Sequence, residues 1–328
     1  MAKILVTGGA GYIGSHTVHL LEGHGHQVTV IDDLSRGHEH NVKGKSFHRV
    51  NLLDTPAITD ILVGGAFHAV IHFAAYIAVG ESTQKPELYF MNNVSGSISL
   101  LTAMERAGVK RIVFSSTAAV YGTPSRVPIP EDAPFDPLSP YGDSKVMVER
   151  ILRWVDQYHG VRSVCLRYFN ACGCEPGSGL GEEHDPETHL IPLLLRAILT
   201  GTPVTIFGED YPTPDGTCIR DYVHVSDLAE AHISAVDYLM KGGASAQFNC
   251  GTGEGRSVRE VIAAVEEVTG KKVPYTVGPR RAGDPPALVA NSDRLQKTLN
   301  WKPKYTDLRD IVRTQWEFVR VSNAALSR

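Results

Sequence analysis

The sequence predicts a doubly wound α/β fold, a parallel sheet covered by helices on both faces, with a second, smaller α/β domain after it. Three observations lead there. Short apolar, β-branched runs alternate with segments of helical spacing through the first half of the chain. Those runs are continuously apolar rather than alternating, which marks strands buried on both faces. A chain of 328 residues is long for one compact core, so two domains are expected.

Lys3-Ile4-Leu5-Val6-Thr7 is an apolar run ending at glycines. Tyr12 to Glu22 follows at helical spacing, and Gln27-Val28-Thr29-Val30-Ile31 is a second β-branched run. That is one βαβ unit. Strands continue at Ala69-Val70-Ile71-His72-Phe73, Arg111-Ile112-Val113-Phe114 and Ser163-Val164-Cys165-Leu166-Arg167. Helices read at about Thr55 to Val63, Pro86 to Ala107 and Pro140 to His159, completing a Rossmann-type plan. After Asn170 the rhythm changes: Gly- and Pro-rich segments at 171–181, 209–217 and 277–286 separate helices near His189 to Leu199, Val225 to Leu239 and Ser257 to Thr269. Loops held by a rigid scaffold carry function. Residues 1–169 are therefore assigned to the sheet domain and 170–328 to substrate capture.

A formal charge of −4 and a pI near 6.4, without a long basic run, argue against an extended nucleic-acid or anionic-membrane surface. The N-terminus enters a strand pattern without the charged and apolar regions of a signal peptide. The longest apolar stretch, near Ala69 to Gly80, is too short to span a bilayer. A soluble, cytoplasmic protein is expected. Five scattered cysteines with no CxxC pair suggest neither a disulfide framework nor a zinc site. The pairs His24/His26 and His38/His40 lie in turn-like segments without a third ligand nearby, so they read as solvated loop histidines, and no metal is expected.

Gly8, Gly11 and Gly14 lie between a strand and a helix, where a tight turn lets backbone N–H groups and the helix N-terminus meet a pyrophosphate. Asp32 ends the second strand. A carboxylate there accepts from both ribose hydroxyls and repels a 2′-phosphate, so NAD is expected over NADP. Arg36 nearby keeps a 2′-phosphate open. The run Ser139-Pro140-Tyr141-Gly142-Asp143-Ser144-Lys145 adds redox chemistry on a bound nicotinamide. To act as a base at neutral pH, a phenol must lose roughly three pKa units, about 4 kcal/mol. An ammonium four residues on shares its helix face and favours the ionised form, as does the cationic ring of an oxidised nicotinamide. Tyrosine and lysine four apart are commonly only an exposed pair. Position decides here: the pair opens a long helix after the strand end Ser115-Ser116-Thr117, where open α/β sheets bind ligands.

The glycine pattern with Tyr-x-x-x-Lys resembles the extended short-chain dehydrogenase/reductase superfamily. Further runs, Tyr12-Ile13-Gly14-Ser15-His16, Ala78-Val79-Gly80-Glu81-Ser82, Asn92-Asn93-Val94, Ala119-Val120-Tyr121-Gly122, Leu166-Arg167-Tyr168-Phe169-Asn170, Asp210-Tyr211-Pro212-Thr213 and Arg220-Asp221-Tyr222-Val223-His224-Val225, are similar to those of the UDP-glucose 4-epimerases within it. The resemblance runs over essentially the whole chain. It implies an NAD-binding first domain, a UDP-sugar-binding second domain and a homodimer joined by the helices near Pro86 to Ala107 and Tyr141 to Tyr158.

In such epimerases the tyrosine phenolate takes the proton of the sugar 4-hydroxyl while the C4 hydride passes to the nicotinamide. The 4-keto sugar then turns, and hydride returns to its other face. Carried over, the base is Tyr141. Lys145 lowers its pKa and holds the nicotinamide ribose, and Thr117 hydrogen-bonds near the sugar 4-oxygen. The resemblance implies a cofactor site of Gly8, Gly11, Tyr12, Ile13, Gly14, Asp32, Asp33, Leu34, Ser35, Arg36, Gly37, Asn51, Leu52, Phe73, Ala74, Ala75, Ile77, Asn92, Ser115 and Phe169, with Tyr141 and Lys145. For the substrate it implies Thr117 and Tyr141, Asn170 toward the diphosphate, His189-Leu190 near it, Thr205-Ile206-Phe207 around the uracil, and Arg220, Arg281 and Asp284 on diphosphate and ribose. Leu288 would line the sugar pocket. Arginine forks match phosphate oxygens, so two can neutralise a diphosphate.

Four positions depart from the pattern. Asn51 stands where an acidic residue commonly faces the adenine amino group, and its amide oxygen still accepts. Ile77 replaces a lysine of some relatives, which would weaken NAD retention. His189 replaces asparagine. Leu288 stands where a tyrosine in some relatives closes the pocket against a bulky 2-substituent. UDP-glucose and UDP-galactose are therefore expected, with UDP-N-acetylhexosamines and UDP-pentoses left open. A nucleotide-sugar 4,6-dehydratase is the competing enzyme, but such enzymes usually carry Asp-Glu after the threonine, and Ala118-Ala119 supplies no proton carrier. A non-catalytic NAD-binding regulator would fit the fold. It is disfavoured by the presence of Thr117, Tyr141 and Lys145 together.

Overall fold

Seven parallel strands form the main sheet, in the spatial order Ala246–Cys250, Arg162–Tyr168, Arg111–Thr117, Ala69–His72, Lys3–Thr7, Gln27–Asp32 and Ser46–Arg49. The computed structural model describes residues 1–281 and 284–326. Ala282 and Gly283, within the expected loop 277–286, lie outside the described residues. The central strands are apolar because both faces are covered. Ile4, Val6 and Ile71 pack with the helices Tyr12–Gly23 and Val225–Met240 on one side, and Leu5, Val70 and Ile112 pack with Thr55–Gly65 and Gly96–Arg106 on the other. The strand order reverses between Lys3–Thr7 and Ala69–His72. In open α/β sheets such a switch point opens the crevice that takes a dinucleotide.

The first sheet draws on the second half of the chain. Its last strand, Ala246–Cys250, and the helix Val225–Met240 come from beyond residue 170. The remaining second-half strands form two smaller sheets. Ile219–His224 pairs with Gly255–Ser257, Ala287–Leu288 and Asn170–Cys172, and Val204–Phe207 pairs with Tyr275–Gly278. A separate apolar cluster of Leu194, Leu195, Ile206, Val261, Val265 and Val312 holds this region together.

The single helix expected over Pro86 to Ala107 is broken. Pro86–Tyr89 is α-helical, Phe90–Ser95 is wound wider as a π-helix, and Gly96–Arg106 resumes the α form. Such wide turns frequently occur at functional sites, and here the turn carries Asn92 and Asn93. The helix Pro140–His159 has the expected bounds. Ser139 caps it by accepting from the Gly142 N–H, Pro140 sits in its first turn, and Gly160 ends it in the left-handed region at φ 66°. Among the described residues, no helix is long and apolar enough to cross a membrane.

Candidate active site

The glycine turn is built by close approach. Gly8 has φ +73°, and a Cβ there would sit 2.5 Å from the Ala74 nitrogen. A Cβ on Gly14 would lie 2.1 Å from the Gly8 carbonyl oxygen. Gly11 is looser, at 3.4 Å from the same oxygen. No side chain caps the helix Tyr12–Gly23 and no acidic residue occupies its first turn, so its positive end is free for a phosphate. Asp32 is buried at the end of its strand. Its two oxygens accept from the Ala10 N–H at 3.0 Å and the Leu34 N–H at 2.9 Å. Burial raises its carboxyl above the ordinary value, and those bonds oppose the rise. The residues thus fit a dinucleotide: a cradle that only glycine permits, an open helix end, and a carboxylate fixed beside both.

Around this core, the Ser35 N–H donates to Asp33, and Gly37 lies so near Ala10 that a Cβ would stand 2.7 Å from the alanine methyl. Arg36 is engaged: its guanidinium donates to both Glu81 oxygens at 2.8 and 3.0 Å and lies over the Tyr76 ring. That pairing lessens its availability to a 2′-phosphate. Asn51 donates to Asp33 at 2.7 Å, and its amide oxygen, expected to face adenine, already accepts from the Leu53 N–H at 2.9 Å. Leu52 is buried, Phe73 packs on His232, and the Ala74 N–H donates to the Thr7 carbonyl. Ala75 is half-buried and Ile77 exposed. Asn92 donates to Asn93, whose own amide straps the Tyr76 backbone and reaches the Ser144 hydroxyl.

The reactive set meets at the carboxyl end of the strand Arg111–Thr117. Thr117, Tyr141 and Lys145 are all buried. Burial pushes the Tyr141 phenol above its ordinary value, while a hydrogen bond from Thr117 pulls it back. Lys145 lies one turn along the helix from Tyr141. Its ammonium donates to the Ser115 carbonyl at 2.9 Å, lies over the Phe114 ring and stands 6.0 Å from the Tyr141 ring centroid. Burial lowers it to about 7 and the Glu149 charge opposes. Ser115 also hydrogen-bonds Tyr168, and the Phe169 N–H donates to the Cys250 carbonyl.

The expected substrate residues lie on the second-half sheets. Asn170 opens the strand Asn170–Cys172. Arg220 donates to the Ile219 carbonyl and pairs with Asp284, so that Asp284 occupies a fork expected for phosphate. Arg281 lies 4.1 Å over the Phe207 ring. Thr205 is exposed, and Ile206 points into the core. Leu288 pairs in register with Arg220 and packs on the cluster of Ala118, Tyr121 and Phe169, of which Ala118 follows Thr117 in the chain. His189 precedes the helix Leu190–Thr200, but its ring is held by carboxylates, with Nδ1 2.8 Å from Glu182 and 3.0 Å from Glu187. Burial would lower this imidazole, yet the two carboxylates raise it to about 10. An asparagine here could not carry that charge. Nor are His38 and His40 merely solvated: their rings stack, His38 contacts the Glu183 carbonyl and His40 its carboxylate.

Sequence reasoning missed a buried network behind the reactive set. Arg167 forks onto both Glu149 oxygens and donates to the Tyr121 hydroxyl at 2.9 Å, Tyr121 donates to Asn249, and Ser116 donates to Glu149. Arg167 and Glu149 were visible only as strand and helix residues, since nothing local announces a pair made between elements. His72 was likewise read only as a strand residue. It bridges Thr7 and Ser97 beside the glycine turn.

The NAD dependent epimerase/dehydratase family model matches residues 4–251. The chain is 48% identical over 318 residues to the UDP-glucose 4-epimerase of Lactobacillus helveticus, covering 96% of each. It superimposes on the UDP-glucose 4-epimerase of Brucella ovis in complex with NAD with a TM-score of 0.94 at 45% identity, covering 97% of this chain and 98% of that one. The UDP-glucose-4-epimerase of Stenotrophomonas maltophila, with bound NAD and formylated UDP-arabinopyranose, gives 0.96 at 39% identity over 99% and 100% of the two chains. With the glycine cradle, the fixed carboxylate and the Thr117, Tyr141 and Lys145 set already in place, these matches show that the chain belongs to the NAD dependent epimerase/dehydratase family.

Proposed function

We propose that the chain interconverts UDP-glucose and UDP-galactose by transient oxidation at sugar C4, retaining NAD through the cycle. The observation that carries this reading is the convergence of Thr117, Tyr141 and Lys145 at one strand end, beside the glycine turn. When bound, NAD would accept hydride from the sugar carbon and return it. Gly8, Gly11 and Gly14 would hold its pyrophosphate and Asp32 a ribose. Tyr141 takes the proton of the sugar 4-hydroxyl and returns it to the 4-oxygen when hydride reaches the opposite face of C4. Thr117, as a donor to the phenol, orients that oxygen and favours its ionised form. Lys145 adds positive charge from its seat on the Ser115 carbonyl. All three lie away from water, which strengthens each electrostatic contact. Ala118 and Ala119 follow Thr117 in a short 3-10 turn and carry no acid or base, against a dehydratase.

Arg220 and Arg281 suit a diphosphate, with Arg220 exchanging Asp284 for phosphate. Leu288, packed on the cluster that contains Ala118 and Phe169, is the wall that would limit the sugar 2-substituent. UDP-pentoses stay within the reading, supported by the UDP-arabinopyranose derivative bound to the Stenotrophomonas relative. The homodimer is supported by exposed apolar side chains on the two candidate helices: Leu88, Met91 and Ile98 on one, Met147, Trp154 and Tyr158 on the other. Action in the cytoplasm goes with this reading. The direct test is incubation of purified protein with UDP-galactose and no added NAD, with the sugars resolved by NMR. UDP-glucose is expected. No conversion even after NAD is added would remove the proposal.

A further inference from the structure

Apart from the Tyr141 centre, the segment leading into the helix Leu190–Thr200 gathers four side chains of metal-ligating type. Glu182, His184, Glu187 and His189 each offer one ligand atom, and these atoms all lie within 4.8 Å of one another. Glu182 Oε1 is 2.8 Å from His189 Nδ1 and 3.2 Å from His184 Nδ1. Glu187 completes the ring through its two oxygens, with Oε1 3.0 Å from His189 Nδ1 and Oε2 3.8 Å from His184 Nδ1. Ligands held about 2.0–2.2 Å from a tetrahedral zinc stand roughly 3.3–3.5 Å apart. The four separations bracket that spacing.

A second observation is independent of the spacing. The Glu182 side chain is 1% exposed, and neither of its oxygens makes a hydrogen bond, nor does His184 Nδ1. Buried polar atoms are almost always hydrogen-bonded, and a buried carboxylate left without such bonds is costly. Glu182 keeps only ion-pair contacts to the two rings, while Glu187 Oε1 is hydrogen-bonded to His189 Nδ1. A metal would displace the protons of both imidazoles, and the two carboxylates then carry a formal charge of −2 that a divalent cation balances.

We propose that Glu182, His184, Glu187 and His189 form a structural site for one divalent transition metal, zinc being the ion that this two-nitrogen, two-oxygen set suits best. Four protein ligands leave no open position, so the ion holds structure and takes no part in turnover. What it holds is a crossing between the two halves of the chain. Between the ligands, the Glu183 carbonyl meets His38 at 2.6 Å, its carboxylate meets His40 at 2.7 Å, and the Asp185 carbonyl accepts from Arg36 at 3.4 Å. The metal fixes the loop that ties the helix Leu190–Thr200 to the cofactor-side segment around Arg36. The expectation of no metal, drawn from scattered cysteines and the turn histidines, did not reach this cluster. Its members come together only once Glu182 is buried.

The test uses the full chain with its cofactor, stripped by chelator and dialysed, then titrated with zinc against a chromophoric chelator and separately loaded with cobalt. The proposal expects one tightly bound zinc per chain, a visible cobalt spectrum of tetrahedral type, and an X-ray absorption shell of nitrogen and oxygen only. The Glu182→Gln/His184→Asn double variant should bind zinc at least about 100-fold more weakly, beyond the 10- to 100-fold that outer-shell changes usually cause. The His38→Asn/His40→Asn variant should bind it nearly as the wild type does. Zinc binding as weak in the wild type as in the double variant would overturn the site and leave four ion-paired side chains. Sulfur in the absorption shell would overturn it too, placing the metal on cysteines. The wild-type measurements stand even if the double variant does not fold.

Discussion

Lys145 donates to the Ser115 carbonyl at 2.9 Å, while its nitrogen stands 6.0 Å from the centroid of the Tyr141 ring. The ammonium therefore acts on the phenol through space and not through a bond. Burial lowers Lys145 to about 7 from an ordinary 10.5. Below pH 7 it is charged in folded and unfolded chains alike, and the folded state bears the full cost of burying that charge. Between about 7 and 10.5 the unfolded chain holds more protons, so stability rises with pH. Lys145→Met should accordingly be more stable than the wild type at about pH 6, with the gap narrowing toward about pH 9. Urea unfolding of the two proteins at both pH values measures this; a gap that does not change with pH would refute it.

Tyr141→Phe keeps the ring and removes the proton acceptor. Turnover of UDP-galactose should fall about 10²- to 10⁴-fold, with NAD content after gel filtration unchanged. Thr117→Ala should lose less, because it removes only a donor to the phenol. Steady-state rates and the cofactor absorbance of the purified variants check both. Full turnover by Tyr141→Phe would move the base elsewhere.

Gly14→Ala and Gly11→Ala form a matched pair. At Gly14 the new Cβ would lie 2.1 Å from the Gly8 carbonyl oxygen, so the turn must open; at Gly11 it would meet that oxygen at 3.4 Å, an ordinary contact. The first variant should release NAD on gel filtration and lose about 1–3 kcal/mol of stability. The second should stay near wild type in stability. Equal retention of NAD by both would count against the cradle.

Leu288 packs on the cluster that contains Ala118 and Phe169. Leu288→Tyr should lower the ratio of kcat/KM for UDP-N-acetylgalactosamine to that for UDP-galactose, and Leu288→Ala should raise it. A pocket difference of this size is worth about 1–3 kcal/mol, or roughly 10- to 200-fold in the ratio. If neither variant moves the ratio, Leu288 is not the wall of the sugar pocket.

How much could be read in advance follows from where each signal lies. Ala69–His72 and the core of Arg111–Thr117 were legible because strands buried on both faces are continuously apolar. The helix Pro140–His159 was bounded by its own Ser139, Pro140 and Gly160. Ala246–Cys250 was not legible. Gln247 and Asn249 interrupt its apolar pattern, and its place at the sheet edge rests on pairing with a strand far earlier in the chain. The π-helical turn at Phe90–Ser95 leaves no mark in an apolar pattern read at helical spacing. At the site, the glycines, Asp32 and the Tyr141 and Lys145 pair were legible because they sit at fixed offsets within single elements. The Ser115 seat of Lys145, the Glu149 and Arg167 fork and the capture of His189 by Glu182 and Glu187 were not, since each depends on side chains brought together by folding.

Transient oxidation with return of the same hydride is most directly tested by running the reaction in D2O with UDP-galactose and no added NAD. UDP-glucose should keep protium at C4, because the hydrogen leaves and returns without meeting solvent. UDP-glucose carrying deuterium at C4 would contradict it, showing that Tyr141 or another base strips that carbon as a proton.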